Sequence, residues 1–152
     1  DGADIDNLAR AQCAAEGVIG LEPQVAALAR SAIAAPIVRS VVAGAEQWRE
    51  LFVAAPIGDR VLEGYVDLLV RTPDGRVIVE YKTDQWSGPV QSAERVGPNR
   101  LQLAAYGAAL ATALDEPIVG GILVRCSPKG DAEQIEVAEW EQAIDEVTRA
   151  VQ

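Results

Sequence analysis

Two carboxylates and an amine are the residues of this sequence whose types and spacing could do chemistry. Asp67 lies inside the apolar run "GYVDLLV", and Glu80 and Lys82 close the run "RVIVEYK". Side chains alternate along a strand, so Glu80 and Lys82 project from one face and Tyr81 from the other. On its own, an acid–x–base pair at a strand end is as often a solvated surface pair that contributes little. The neighbouring strand changes that reading. With "TPDG" as a four-residue loop, Arg71 pairs with Arg76, and the same register sets Asp67 directly opposite Glu80 on one face, Cβ atoms about 5 Å apart. A three-residue loop with a bulge at Gly75 would shift the register and undo the pairing. An ionised carboxylate among apolar neighbours is costly without a cation or donors, and two facing acids call for a positive ion between them. Two carboxylates completed by phosphate oxygens and waters suit Mg²⁺. A lysine beside them can contact a scissile phosphate or the attacking water, which outlines a hydrolytic phosphodiester site.

Composition removes the competing chemistries. The chain has no histidine, which excludes Ser-His-Asp and Cys-His mechanisms and any His-ligated metal within it. Its two cysteines, Cys13 and Cys126, are far apart and outside any CxxC spacing, so they read as buried thiols rather than as a disulfide framework or a zinc or iron–sulfur site. A net charge of −10 argues against a free-standing nucleic-acid binder, because phosphate neutralisation is the usual source of affinity. With 152 residues and 49% hydrophobic content, residues 1–152 fit one domain with one sizeable core. The apolar runs fall well short of the ~20 residues of a membrane span. The N-terminus lacks a signal-peptide layout, so a cytoplasmic protein without a membrane partner is expected. The chain opens at Asp1 directly into a helical pattern, which reads as a segment cut from a longer protein.

The elements that must position these residues follow from periodicity and punctuation. "DIDNLARAQCAAEG" reads as a helix stopped at Gly17, "PQVAALARSAIAA" as a helix opened by Pro23, and "APIVRSVVAGA" as a third short helix or turn. From Trp48 to Asp84 the pattern becomes a three-strand meander, with turns near Pro56–Asp59 and at "TPDG". "QWSGPVQSAERVGPN" reads as a long polar loop, a length that marks function or mobility. A helix "RLQLAAYGAALATAL", a buried strand "PIVGGILVR", a short strand "IEVA" and a closing helix "EWEQAIDEVTRAVQ" complete an α/β sandwich around a mixed sheet.

"EGYVDLLV", "VIVEYKTD" and "LQLAAYGAAL", in this order and spacing, resemble the G-x-[VI]-D-L, [DE]-Y-K-T and Q-x-x-x-Y motifs of the RecB-like branch of PD-(D/E)XK nucleases. The resemblance spans Glu50 to about Leu110 and is particularly similar to the C-terminal nuclease domain of bacterial UvrD/AddA-type helicase–nucleases. It implies a restriction-endonuclease-like sandwich with a central mixed β-sheet flanked by helices. It also implies metal binding by Asp67, Glu80 and the backbone carbonyl of Tyr81, with Mg²⁺ or Mn²⁺ as the ion and Lys82 as the catalytic lysine. Gln102 and Tyr106 would be the helix pair facing the site, and residues four apart do share a helix face. The implied activity is metal-dependent DNA hydrolysis in repair or recombination, as an exonuclease rather than an endonuclease. The implied substrate is single-stranded DNA delivered by helicase domains of the same polypeptide, which would answer the charge objection. Two departures stand out. Two cysteines cannot hold the four-cysteine iron–sulfur cluster of some members, so no cluster is expected. The histidine that many members place on a preceding helix is absent, and a further metal ligand before Asp1 is expected.

Glu50 reads equally as a site carboxylate or a solvated strand-edge acid. Trp86, Arg95 and Arg100 read equally as DNA contacts or as surface residues of no consequence. Two alternatives stand beside the nuclease reading: a nuclease-like module without activity that guides strands for its parent protein, and an unrelated α/β domain.

Overall fold

Proline and glycine set the boundaries of the N-terminal third, as their backbone restrictions require. A computed structural model describes residues 2–57, 59–84, 89–114 and 116–150, with the side chains of 2, 3, 57, 60 and 89–96 outside that description. Helix α1 (Gly2–Ala15) ends before Gly17, and α2 (Glu22–Ala34) carries Pro23 in its first turn. Pro36 holds Ala35 extended, at φ −60° and ψ 137°, so α3 (Pro36–Val42) leaves α2 at a bend of 84°. Among the described residues, no single helix is long and apolar enough to cross a membrane.

Strands β1 (Gln47–Ile57), β2 (Arg60–Thr72) and β3 (Gly75–Lys82) form the expected meander. Strands β4 (Ile118–Arg125) and β5 (Glu133–Glu136) extend it to a five-stranded sheet in sequence order, closed by α5 (Trp140–Ala150). The β3–β4 pair is parallel and the others are antiparallel. Parallel neighbours need a crossover, and α4 (Pro89–Leu114) supplies it. The register of Arg71 with Arg76 is the one the sequence predicts, but the loop is tighter. Thr72 and Gly75 join the ladder, leaving Pro73 and Asp74 to turn. Gly75 takes φ +142°, where a side chain would be strained, and the Thr72 hydroxyl donates to its carbonyl at 2.8 Å.

One further expectation is corrected. The long polar loop is largely helix, because α4 begins at Pro89 and runs through Gly97 and Pro98. Pro98 removes one N–H from the helical ladder, yet the helix continues across it, so the usual breaker rule is overridden here. Trp86 lies outside the described residues, as does the side chain of Arg95.

The sheet is covered on both faces. Val53, Val66, Leu69, Ile78 and Leu123 pack beneath Leu103, Tyr106 and Leu110 of α4. Leu68, Val70, Val77, Val79 and Val124 pack on the other face against Ala35 and Val38. Strand β3 is therefore buried on both sides, which explains its unbroken apolar run.

Candidate active site

The carboxylates and the lysine sit where the meander departs from regular pairing. Along β1, Trp48 and Leu51 pack toward α4, and along β2 so do Val66 and Leu69. A spacing of three cannot put two residues on one face of a regular strand. Each strand thus carries one irregular residue, Glu50 and Asp67, and the two stand at matching positions between the pairs Arg49–Leu68 and Leu51–Val66. Glu50 takes φ +48°, a left-handed conformation that is costly for a residue with a side chain. The β2–β3 ladder begins only beyond this point, at Leu68–Val79.

This splay frees the backbone of β3 at Tyr81. Asp67 fills the gap: its Oδ2 accepts the Tyr81 N–H at 2.8 Å. The sequence sets Asp67 opposite Glu80 as a ladder pair. The structure instead ends the ladder one pair short and turns the Asp67 carboxylate toward the β3 backbone, because an unpaired N–H there needs an acceptor. Asp67 still stands near enough to Glu80 for its charge to act on it. The Lys82 carbonyl accepts the Cys126 N–H of the β4 side at 2.8 Å. Since carbonyls alternate in direction along a strand, the Tyr81 carbonyl turns to the Asp67 side.

Glu80 is 8% exposed. Its Oε1 accepts from Lys82 Nζ at 3.0 Å and from Gln102 Nε2 of α4 at 3.4 Å. Its Oε2 is buried and, among the described residues, has no hydrogen-bond partner. Burial pushes the Glu80 carboxyl above the usual glutamate range and the charge of Asp67 adds to the push, while the bonds from Lys82 and Gln102 act against it. A buried acceptor without a donor is costly, so this atom calls for a cation. Among the described residues no three His, Cys, Asp or Glu side chains cluster as a ready-made metal cage. Two carboxylates and a strand carbonyl, all hard oxygen donors, nevertheless fit an ion such as Mg²⁺ that keeps waters and substrate oxygens in its shell.

Gln102 therefore joins the constellation as expected. Tyr106, one turn along α4, is buried in the core with its ring over Gly64 of β2, and no hydrogen bond joins it to Glu80 or Lys82. A Cβ at position 64 would lie 2.3 Å from the Tyr106 hydroxyl, so the glycine permits this close approach of helix and strand. Arg100, considered as a DNA contact, is bound to Glu146 of α5 at 2.6 Å. On the opposite side of the sheet a cleft of about 400 Å³ opens beside Asp67. Ile33, Val41 and Val42 wall it on one side, and Arg49, Glu50, Asp67 and Tyr81 on the other. Arg49 is a lining residue that sequence reasoning did not single out, since one arginine in a strand carries no signal. Burial raises the pKa of the Tyr81 phenol, which faces this cleft. A larger depression, about 510 Å³, lies at Asp6, Arg10 and Glu22, far from these groups in the chain and beside an exposed Asp6–Arg30 ion pair. It holds none of the buried, unpaired chemistry of the β2–β3 splay.

The PD-(D/E)XK nuclease superfamily matches over residues 3–152. No curated protein matches the sequence. Among solved structures, that of SSO0001 aligns with 87% of this chain and 69% of its own, at 21% identity and a TM-score of 0.39.

Proposed function

The chain belongs to the PD-(D/E)XK nuclease superfamily, and from that premise we propose that it hydrolyses DNA phosphodiester bonds at the splay between β2 and β3. The finer reading is a RecB-like nuclease domain of a cytoplasmic helicase–nuclease, acting exonucleolytically on single strands that the helicase domains deliver. The observation that carries the proposal is the buried Oε2 of Glu80, which has no hydrogen-bond partner among the described residues, while Lys82 holds the other oxygen and the charge of Asp67 acts on the same carboxyl.

Asp67, Glu80 and the Tyr81 carbonyl would hold a divalent ion, Mg²⁺ or Mn²⁺. Such an ion supplies positive charge to the phosphate and a hydroxide nucleophile at neutral pH. The chain's own residues do the rest. The Tyr81 N–H fixes the rotamer of Asp67. Glu80 Oε1 tethers the Lys82 ammonium at 3.0 Å, so a donor is held beside that carboxylate. There Lys82 Nζ stabilises charge that builds on the phosphate in the transition state. Gln102 steadies Glu80 from α4, and Tyr106 over Gly64 sets how closely α4 approaches β2. The three side chains Asp67, Glu80 and Lys82 are all present, which weighs against a module without activity.

The test is cleavage of an end-labelled single-stranded oligonucleotide by this chain, with Mg²⁺, with Mn²⁺ and with chelator. Weak, Mn²⁺-favoured cleavage is expected, because a surface of net charge −10 repels DNA. It should fall about 100-fold or more in Lys82→Ala, and rise strongly when helicase domains are joined to the chain. If the joined protein with Lys82 intact cuts no DNA under any of these conditions, the domain is a strand-guiding module instead.

A further inference from the structure

The helical layer opposite α4 stops short of the β1–β2 hairpin. Helices α2 and α3 pack on Leu68, Val70 and Val79 of the central strands, whereas the hairpin is covered on one face alone. Val53 and Ala55 are buried on the α4 side; on the other side Phe52, Tyr65 and Val61 are 54%, 60% and 66% exposed. Phe52 and Tyr65 are register partners, with ring centroids 5.3 Å apart. Two exposed acids flank this apolar face: Glu63, between Val61 and Tyr65, and Glu50, two residues from Phe52. Among the described residues neither has an ion-pair partner. Val42, also exposed, stands across the cleft that Glu50 lines. Apolar side chains thus alternate with unneutralised acids over about 20 Å, from Val61 to the cleft.

We infer that this face docks a basic amphipathic helix of a partner protein, with its apolar stripe on Phe52, Tyr65 and Val61 and its Lys or Arg side chains beside Glu50 and Glu63. The inference stands independently of the nuclease reading. A sheet left bare on one side lacks the layer that a sandwich supplies, and a helix is the element that already covers the hairpin from the other side. A helix of about 13 residues spans 20 Å, and apolar residues three and four apart along it form a stripe that such a surface takes. The free edge of β1 does not suit an added strand instead, because Pro56 offers no N–H and the left-handed Glu50 interrupts regular pairing. Charge decides the chemistry of the partner. In a chain of net charge −10, Glu50 and Glu63 repel nucleic-acid phosphates, anionic lipids and a second copy alike, and attract a cationic helix.

The test is fluorescence-anisotropy binding of the 152-residue chain to a pair of synthetic amphipathic helices of about 14 residues. One carries a leucine stripe flanked by lysines, the other the same stripe flanked by glutamates. The lysine peptide should bind and the glutamate peptide should not. Phe52→Ala and Tyr65→Ala should each weaken binding about 5- to 30-fold, the loss expected of an aromatic anchor. Glu63→Lys should weaken it as well. Asp145→Lys makes the same charge change at an exposed position of α5, which packs on α4, and should leave binding within about twofold. All four side chains are exposed, so melting temperatures should hold; should an alanine variant lose its fold, the two lysine variants decide the matter alone. Equal losses in Glu63→Lys and Asp145→Lys, or unchanged binding in both alanine variants, reveal attraction by overall charge and overturn the inference. Failure of the lysine peptide to bind overturns it too. Displacement of the peptide by an oligothymidylate, or a Phe52-dependent dimer in sedimentation, gives the face to nucleic acid or to a second copy and likewise overturns it.

Discussion

Replacing Asp67 separates its two tasks, holding the β3 backbone and holding an ion. In Asp67→Ala the Tyr81 N–H loses the acceptor at 2.8 Å in a partly buried position. A hydrogen bond to a charged acceptor contributes about 1.5–3 kcal/mol. Loss of the repulsion that Asp67 exerts on Glu80 offsets part of this, leaving a net cost of about 1–2 kcal/mol. For a domain of this size that lowers Tm by about 2–8 °C. Asp67→Asn keeps an oxygen for the Tyr81 N–H and removes the repulsion, so its Tm should stay within about 2 °C of wild type. Metal response divides the variants differently. At ten times the dissociation constant, Mn²⁺ stabilises a specific site by about 1.4 kcal/mol, or about 3–6 °C; both variants should lose that gain. The assay is thermal unfolding of the three proteins with and without Mn²⁺. Equal stability of Asp67→Ala and Asp67→Asn would refute the role given to the Tyr81 bond. A full Mn²⁺ response in Asp67→Asn would refute the carboxylate as a ligand.

Other variants test the surrounding structure. Gly64→Ala would place a Cβ 2.3 Å from the Tyr106 hydroxyl, so it should cost about 1–3 kcal/mol in denaturant unfolding and lower any cleavage activity, since Gln102 rides on the same helix. Glu80 has a raised pKa in the fold, so the unfolded chain ionises first and metal-free stability should fall as pH rises above the ordinary glutamate value, about 4.3. Glu80→Gln should lack that decline, and a pH series of melting temperatures without metal reads it directly. The bond from Arg100 holds the Glu146 carboxyl below the usual range, so its stabilisation is present near neutrality and fades as pH falls through the folded-state pKa. The Tm gap between wild type and Glu146→Gln should accordingly close toward pH 3.

The sheet was legible because its signals are local. Val77 to Val79 form an unbroken apolar run, and "TPDG" set the Arg71–Arg76 register even though the loop proved tighter. Lys82 and Gln102 both bond to Glu80, whereas Asp67 acts on it through charge rather than as the expected ladder partner. The start of α4 was hidden because Gly97 and Pro98 are local breaking signals, yet the helix runs through both. The paired irregularity at Glu50 and Asp67 was hidden for another reason. Strand alternation extended through Asp67 gives a regular ladder, and only the splay of β2 from β3 turns the carboxylate to the Tyr81 N–H. Tyr106 was expected to face the site through the family resemblance, and Arg100 read equally as a DNA contact or a surface residue. Burial over Gly64 and the Glu146 carboxylate decide their positions, and neither is visible in a linear pattern.

The most direct test of the metal-dependent site is the anomalous scattering of Mn²⁺ in crystals of this chain. A peak is expected in contact with the Asp67 carboxylate, Oε2 of Glu80 and the Tyr81 carbonyl, lost in Asp67→Asn. Well-ordered crystals grown in millimolar Mn²⁺ with no peak there, and with Oε2 of Glu80 bound instead to water or a protein donor, would contradict it.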